Sequence, residues 1–333
     1  MTTHCHFTVP RVKQVRVITD TDFFNEADDP FAVAQALLSP KFDNIALVAV
    51  HCGRGAEQME ESYRGLQDMV AAMALDEPAT ILHGAPHALP NQTTPVVSKG
   101  AECIVREAMK DDDRPLFVLL LGPLTDLASA LLMEPRIAGR VTAIWIGGGA
   151  YPVGGPEFNL GNDIAAVNVV FGSTMAVWQV PKNVYEMMPV SLAELDCKVR
   201  PQGTLGRWLF DQLDAYNQSD SAAASTFRTG ETWVLGDNPA PGLLLYEHRF
   251  AFDWVPAPYI TADHRLMLER GEAVLGGVSF IMKALGLQTA TIGIEANKLD
   301  AVEHLKSLLP AGSGIQIETL KTRYPQGAEK QLI

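Results

Sequence analysis

Along the first two hundred residues the apolar positions follow two alternating periods. Short, near-continuous apolar runs occur at Val15 to Thr19, Ile45 to Val50, Ala79 to Leu82, Leu116 to Leu121, Val141 to Ile146 and Met175 to Val180. Runs of this kind predict strands buried on both faces. Between them, helical spacing predicts helices at Pro30 to Leu38, Ala56 to Ala74, Lys99 to Lys110, Leu124 to Leu132 and Ala165 to Phe171. A parallel connection needs a crossover of about a dozen residues or more, which these helices supply. The pattern therefore predicts an α/β fold: a doubly wound, mainly parallel sheet with helices on both faces. Ligands of such sheets bind beyond the carboxyl ends of the strands, so the loops there are where chemistry is to be sought.

After residue 200 the pattern loosens. Thr204 to Tyr216 reads as a helix, Asn217 to Glu231 as a Ser/Ala/Thr-rich loop, and Trp233 to Tyr246 as a helix interrupted by proline. The aromatic stretch Arg249 to Ile260 suggests hairpin strands, and Thr291 to Glu295 with Asp300 to Leu309 a final strand and helix. No repeat and no long linker interrupts the chain. One domain over residues 10–333 is expected, preceded by a flexible tail at 1–9 that includes His4-Cys5-His6.

Composition narrows the function classes. The 333 residues are 47% hydrophobic with 27 Gly and 21 Pro, ordinary globular usage. Against 26 Lys+Arg stand 39 Asp+Glu, a formal charge of −13, so the summed field repels nucleic acid and anionic membrane surfaces. The most apolar run, Pro115 to Met133, is interrupted by Gly122, Thr125 and Asp126 and is unsuited to a bilayer core of about 30 Å. The four cysteines form no CxxC pair, and Met1 to Lys13 lacks the apolar stretch of a secretory signal. A cytoplasmic protein is expected.

The acid is not evenly spread. Directly after the first strand, Asp20-Thr21-Asp22-Phe23-Phe24-Asn25-Glu26-Ala27-Asp28-Asp29 packs five carboxylates into ten residues, with no Lys or Arg between Arg16 and Lys41. Like charges this close cost several kcal/mol in a partly desolvated site unless they are protonated or bridged by a cation. The loop joins an apolar strand to an apolar helix, which places it at the sheet's ligand-binding edge. Its hard oxygen donors suit Ca²⁺ or Mg²⁺.

Two enzyme classes place Asp-x-Asp after a first α/β strand. In haloacid dehalogenase-like phosphatases Asp20 would be the nucleophile. The second resemblance extends further. Asp20, Asp22, Asn25-Glu26 and Asp28-Asp29 resemble the longer form of the Asp-x-Asp…Asp-Asp signature of the inosine/uridine-preferring nucleoside hydrolase family. Leu121-Gly122-Pro123-Leu124-Thr125-Asp126 resembles its Gly-Pro-Leu-Thr-Asn segment. Gly147-Gly148-Gly149 with Glu157-Phe158-Asn159 resembles its glycine-rich strand end and Glu-Phe-Asn, and Asp237 takes the place of its late metal-binding Asp. Phe24 stands where the family commonly has Gly, Gly53 where it has an Asn that touches the sugar, and Gly236 where many members carry the His that protonates the departing base.

The resemblance covers about residues 15 to 300. It implies Ca²⁺ held by Asp22, Asp29, the Leu121 carbonyl and Asp237, a water of lowered pKa, and Asp22 as the base that takes its proton. Asp28, Glu157, Asn159 and Asn25 would contact the ribosyl substrate. Without a His at 236, His248, Tyr246, Trp233 or Trp254 would serve the base. The implied activity is N-ribosyl hydrolysis of purine or pyrimidine nucleosides, a small-molecule reaction, by a homo-oligomer (dimer or tetramer). A non-catalytic calcium- and sugar-binding relative is the third reading, suggested by Gly236 and Gly53. Asp163 reads as a helix N-cap.

Overall fold

The computed structural model describes residues 7–75, 79–224, 230–246, 251–261, 266–267, 271–295 and 299–320. It divides into two compact units, Met1–Trp254 and Val255–Ile333, in place of the single domain expected over 10–333. The reason is that each unit has a core of its own. In the second unit Leu275, Met282, Val302, Leu305, Ile315 and Ile317 cluster by themselves.

The first unit is built on six parallel strands: β1 (Val15–Thr21), β2 (Phe42–Ala49), β3 (Ile81–His83), β4 (Leu116–Leu120), β5 (Val141–Ile146) and β6 (Ala176–Val180). Their spatial order is β3-β2-β1-β4-β5-β6. The chain reverses its direction of travel across the sheet between β1 and β4, and a crevice opens there above the strand ends. The crossovers are α1 (Asp29–Leu38), α2 (Ala56–Met73), α3 (Lys99–Ala108), α4 (Thr125–Met133), and the pair α5 (Phe158–Asn162) and α6 (Ile164–Phe171). The expected doubly wound α/β fold is the one observed. All seven residues of β1 and all five of β4 are buried, as central strands covered on both faces require. Strand β1 runs two residues further than expected, which carries Asp20 into the sheet.

After β6 come α7 (Lys182–Tyr185), β7 (Pro189–Ser191), α8 (Leu192–Lys198), α9 (Gly203–Asn217), α10 (Asp220–Ala224), β8 (Thr232–Val234) and α11 (Pro239–Leu245). The stretch expected as one helix from Trp233 is thus a strand, a turn and a short helix. Gly236-Asp237-Asn238-Pro239 breaks it, and Pro239 opens the new helix in the position proline favours. Asp163 caps α6 by accepting from the Ala166 N–H, as expected.

In the second unit β9 (Tyr259–Ile260) pairs antiparallel with β10 (Leu266–Met267), and α12 (Gly271–Leu285), β11 (Ala290–Glu295), α13 (Leu299–Leu308) and β12 (Ile315–Leu320) follow. Strands β11 and β12 are parallel, with α13 between them in sequence. Helix α12 and strand β12 were not foreseen. Gly276-Gly277 dilutes the helical signal of α12, and a Pro-Ala-Gly-Ser-Gly turn hides the start of β12. Among the described residues no helix is long and apolar enough to cross a membrane.

Candidate functional site

The carboxyl ends of β1, β4 and β5 deliver the acidic loop, Leu121 and Ile146 to one cavity of about 80 Å³. Its wall carries six carboxylates, from Asp22, Glu26, Asp28, Asp29, Glu157 and Asp237, and among the described residues no Lys or Arg. The first four come from the β1–α1 loop and the start of α1, Glu157 from the start of α5, and Asp237 from the turn before α11.

Hydrogen bonds fix the arrangement. Thr21 Oγ1, at the end of β1, donates to Asp29 Oδ1. The Asp237 N–H donates to Asp28 Oδ2 at 3.2 Å, tying the late segment to the first loop. Asn159 Nδ2 donates to the Leu121 carbonyl at 2.7 Å and to the Ile146 carbonyl at 2.9 Å. Both donors of that amide are therefore spent on strand ends. Glu157 accepts from the Gly148 and Leu160 N–H groups through Oε2, and from the Asn159 N–H and the Tyr185 hydroxyl through Oε1. A carboxylate offers about four acceptor positions, so in this arrangement Glu157 braces the cavity and is fully engaged by the protein itself.

The electrostatics are those of anions short of a counter-ion. Burial, followed by the nearby Asp28, pushes Asp29 up to about 8, and the same two causes push Glu26 up to about 8. Burial raises Asp28 to about 6 against the pull of backbone N–H groups. Asp22 and Asp237 are held well above the usual carboxylate range, by burial first and by neighbouring carboxylates second. One carboxylate oxygen from each of Asp28, Asp29 and Asp237 lies within 4.8 Å of the others. Asp22 Oδ2 and Asn25 Oδ1 are buried without a hydrogen-bond partner. A buried orphan acceptor normally costs about 1–3 kcal/mol or more. Oxygen donors converging with orphaned acceptors beside them fit a hard divalent cation.

Of the expected site residues, Asp22, Asn25, Asp28, Asp29, Leu121, Glu157, Asn159 and Asp237 all line this cavity. Asp28, expected on the sugar, stands in the converging trio with Asp29 and Asp237. Trp233 is a correction. It is 1% exposed and packs among Ala27, Phe31, Leu209 and Leu213, with its ring edge-on to Tyr216 at 5.5 Å. Side chains alternate along β8, so Trp233 turns to the core and its neighbour Val234 faces the cavity. His248 lies outside the described residues. Asp20, the nucleophile of the phosphatase reading, is fully buried and absent from the cavity wall, so no substrate phosphate reaches it. Sequence reasoning missed Tyr185. It closes α7, the short helix that follows β6, and the rule that the segments after strand ends carry ligands was the signal that pointed to it. A Cβ at position 236 would stand 3.1 Å from the Tyr185 ring and 3.2 Å from Asp28 Oδ2, so the ring fills the space a side chain at 236 would need.

Comparison with known proteins gives a two-part result. Residues 17–275 match the sequence profile of the family described as inosine-uridine preferring nucleoside hydrolase. Among solved structures, a purine-preferring ribonucleoside hydrolase from Gardnerella vaginalis superposes with a TM-score of 0.62 at 18% identity, covering 75% of this chain and 87% of that one. An inosine-uridine preferring nucleoside hydrolase from Bacillus anthracis does so with a TM-score of 0.55 at 14% identity, covering 77% and 91%. Residues 256–333 match a second profile, described as Nuo51 FMN-binding domain. There the chain is 47% identical over 76 residues to one of the subunits of the Na(+)-translocating ferredoxin:NAD(+) oxidoreductase complex of Acetobacterium woodii. That match takes in 23% of this chain and spans only 17% of the relative's length.

Proposed function

The chain belongs to the inosine-uridine preferring nucleoside hydrolase family, and from that premise we propose that it hydrolyses the N-glycosidic bond of ribonucleosides, dependent on calcium, with Asp22 as the base. The observation that carries this reading is the orphaned, buried Asp22 carboxylate on the wall that also holds the Asp28, Asp29 and Asp237 trio. Asp22, Asp29, Asp237 and the Leu121 carbonyl are the residues that would hold the cation. When bound, such an ion supplies a water whose pKa lies well below the bulk value of about 15.7.

The chain's own residues do the rest. Burial raises the proton affinity of Asp22, which suits its Oδ2 to take the proton of the attacking water. The bond from the anomeric carbon to the base nitrogen breaks as the bond to the water oxygen forms; its electron pair leaves on the base, which takes a proton from solvent at the open mouth, and positive charge develops on the ribosyl ring. Fixed carboxylates around the cavity stabilise that charge. Asn159 has its amide donors on the strand ends, which leaves its oxygen for a ribose hydroxyl, and Asn25 Oδ1 is a second free acceptor.

The cavity is smaller than the roughly 300–1,000 Å³ of pockets that enclose whole ligands. The sugar edge enters it, and the base stays at the mouth beside Phe158, which is 43% exposed. A cytoplasmic setting accords with free Cys52, Cys103 and Cys197. A dimer or tetramer is part of the same reading, checked by light scattering on the purified chain.

The test is release of free ribose from inosine and uridine. It should vanish with a chelator and return with Ca²⁺, and Asp22→Ala should lower kcat by roughly 10²–10⁴-fold with an unchanged circular dichroism spectrum. Calcium and ribose binding without turnover of any nucleoside would instead identify a non-catalytic relative.

A further inference from the structure

The turn that carries the first ligands is built on a residue that backbone sterics disfavour. Asn25 N–H donates to the Asp22 carbonyl at 3.0 Å, closing a four-residue turn. Its third residue, Phe24, has φ +69°. A positive φ at that position is the type II pattern, which ordinarily takes Gly or Asn, and a bulky side chain there is a true outlier that surrounding structure must hold in place.

What holds it is visible. The Phe24 ring lies 4.7 Å from that of Phe23 and 5.9 Å from that of Trp208 on α9. It also lies over Gly65 of α2, so closely that a Cβ there would stand 2.2 Å from the ring. Phe23 is fully buried, and its carbonyl accepts from Ser62 Oγ, also on α2. Two helices thus grip the two middle residues of the turn. The residues on either side of that grip are Asp22 and Asn25, which line the cavity and each carry a buried oxygen without a hydrogen-bond partner.

We propose that Phe24 is a positioning residue of the cation site: its ring, 38% exposed and packed on its inner side against Gly65 and Trp208, holds a turn that the backbone alone would not adopt and so sets Asp22 and Asn25 on the cavity wall. The inference rests on the cation reading above and adds to it a residue that touches neither cation nor substrate. Glycine at 24 would allow the same φ at no steric cost, so the choice of Phe gives the turn an anchor where Gly would leave it free.

The experiment is calorimetric titration of CaCl₂ into the full chain and its variants. Phe24→Gly keeps the backbone permissive and removes the wedge. Its calcium affinity is expected to fall at least roughly tenfold, as when an outer partner of a metal ligand is lost. Phe24→Tyr, which keeps the ring, should bind as the parent does. Gly65→Ala improves helix propensity and would set a Cβ 2.2 Å from the Phe24 ring and 2.9 Å from the Phe23 ring, so it acts on the turn chiefly by displacing the Phe24 ring. It should weaken binding comparably alone and add clearly less than that in the Phe24→Gly background, where only the contact with Phe23 remains, whereas two independent structural lesions would add in full. Parent-like affinity in Phe24→Gly, or in Gly65→Ala should the first variant fail to fold, overturns the positioning role while the cation reading stands. Absence of calcium binding by the parent chain overturns both.

Discussion

Replacing Asp29 by Asn should move stability in opposite directions with and without the cation. In the cation-free protein the Asp29 carboxyl has its pKa pushed from 3.8 up to about 8, with burial the leading cause. A raised carboxylate pKa means that the group's contribution is fully favourable below about pH 4 and is lost as pH rises towards 8. At pH 7 the folded state keeps a proton that the unfolded chain would release about three pH units lower, a penalty on the order of 4 kcal/mol. Asparagine has no proton to hold and keeps an oxygen to accept from Thr21 Oγ1, the bond Asp29 makes now. Its new N–H donors face the carboxylates of Asp28 and Asp237. Even if half the gain is lost to imperfect hydrogen bonds, about 2 kcal/mol remains. For a unit of this size that is a rise in Tm of roughly 4–8 °C.

With calcium present the sign reverses. At a hundredfold excess over Kd the parent chain gains about 2.7 kcal/mol from binding, and the variant, short of one anionic ligand, gains little. All five tryptophans lie at or before Trp254, so tryptophan fluorescence during heating reports the first unit alone. Melts at pH 5 and pH 8, with calcium or with chelator, give the four numbers needed. A lower Tm for cation-free Asp29→Asn at pH 8, or an undiminished calcium shift, would refute the electrostatic account.

Four further outcomes follow from the same geometry. Calcium affinity should strengthen steeply between pH 6 and 8, because Asp28 near 6 and Asp29 and Glu26 near 8 must give up protons on binding; titrations in buffers of different ionisation enthalpy should show about two protons released, and none would contradict it. Tyr185→Phe removes the hydroxyl from Glu157 Oε1 and should cost about 1–3 kcal/mol in urea denaturation, with KM altered more than kcat. Trp233→Ala should destabilise the first unit by about 3–5 kcal/mol yet leave KM for inosine unchanged at a permissive temperature; a raised KM would return Trp233 to the substrate. Burial holds His51 neutral, with its pKa lowered to about 4, so the stability it contributes is present above about pH 6.5 and is lost as pH falls towards 4. Acid unfolding of His51→Gln should therefore be shallower in that window.

The sheet was legible because parallel strands buried on both faces write themselves as uninterrupted apolar runs, and β1, β4 and β5 have no other reading. The acidic loop was legible for a related reason: five carboxylates with no cation among them have few stable uses, and the strand before them fixes which edge they occupy. Trp233 was misread because one residue's shift along a strand exchanges core for cavity, and nothing in Thr232-Trp233-Val234 by itself says which side is which. Tyr185 and the grip on Phe24 depend on contacts between segments far apart in sequence, with Glu157 and Gly236 in one case and Gly65 and Trp208 in the other. The unit boundary at Trp254 escaped notice because no composition shift marks it. The match at 17–275 runs on past it and overlaps the match at 256–333 over residues 256–275.

Among the described residues, those lining the cavity fall between Asp22 and Asp237, within the first unit. This bears on the charge of the whole chain. The formal −13 counts Asp22, Glu26, Asp28, Asp29 and Asp237 as ionised, yet burial holds all five above the usual carboxylate range in the cation-free protein. Without the cation these groups retain part of their protons near neutral pH. With the proposed cation they would ionise, and its two positive charges would offset the change. On the proposed reading the cavity would exchange protons for a cation at little change in net charge, and the far field that repels polyanions would come from the acidic residues elsewhere on the chain.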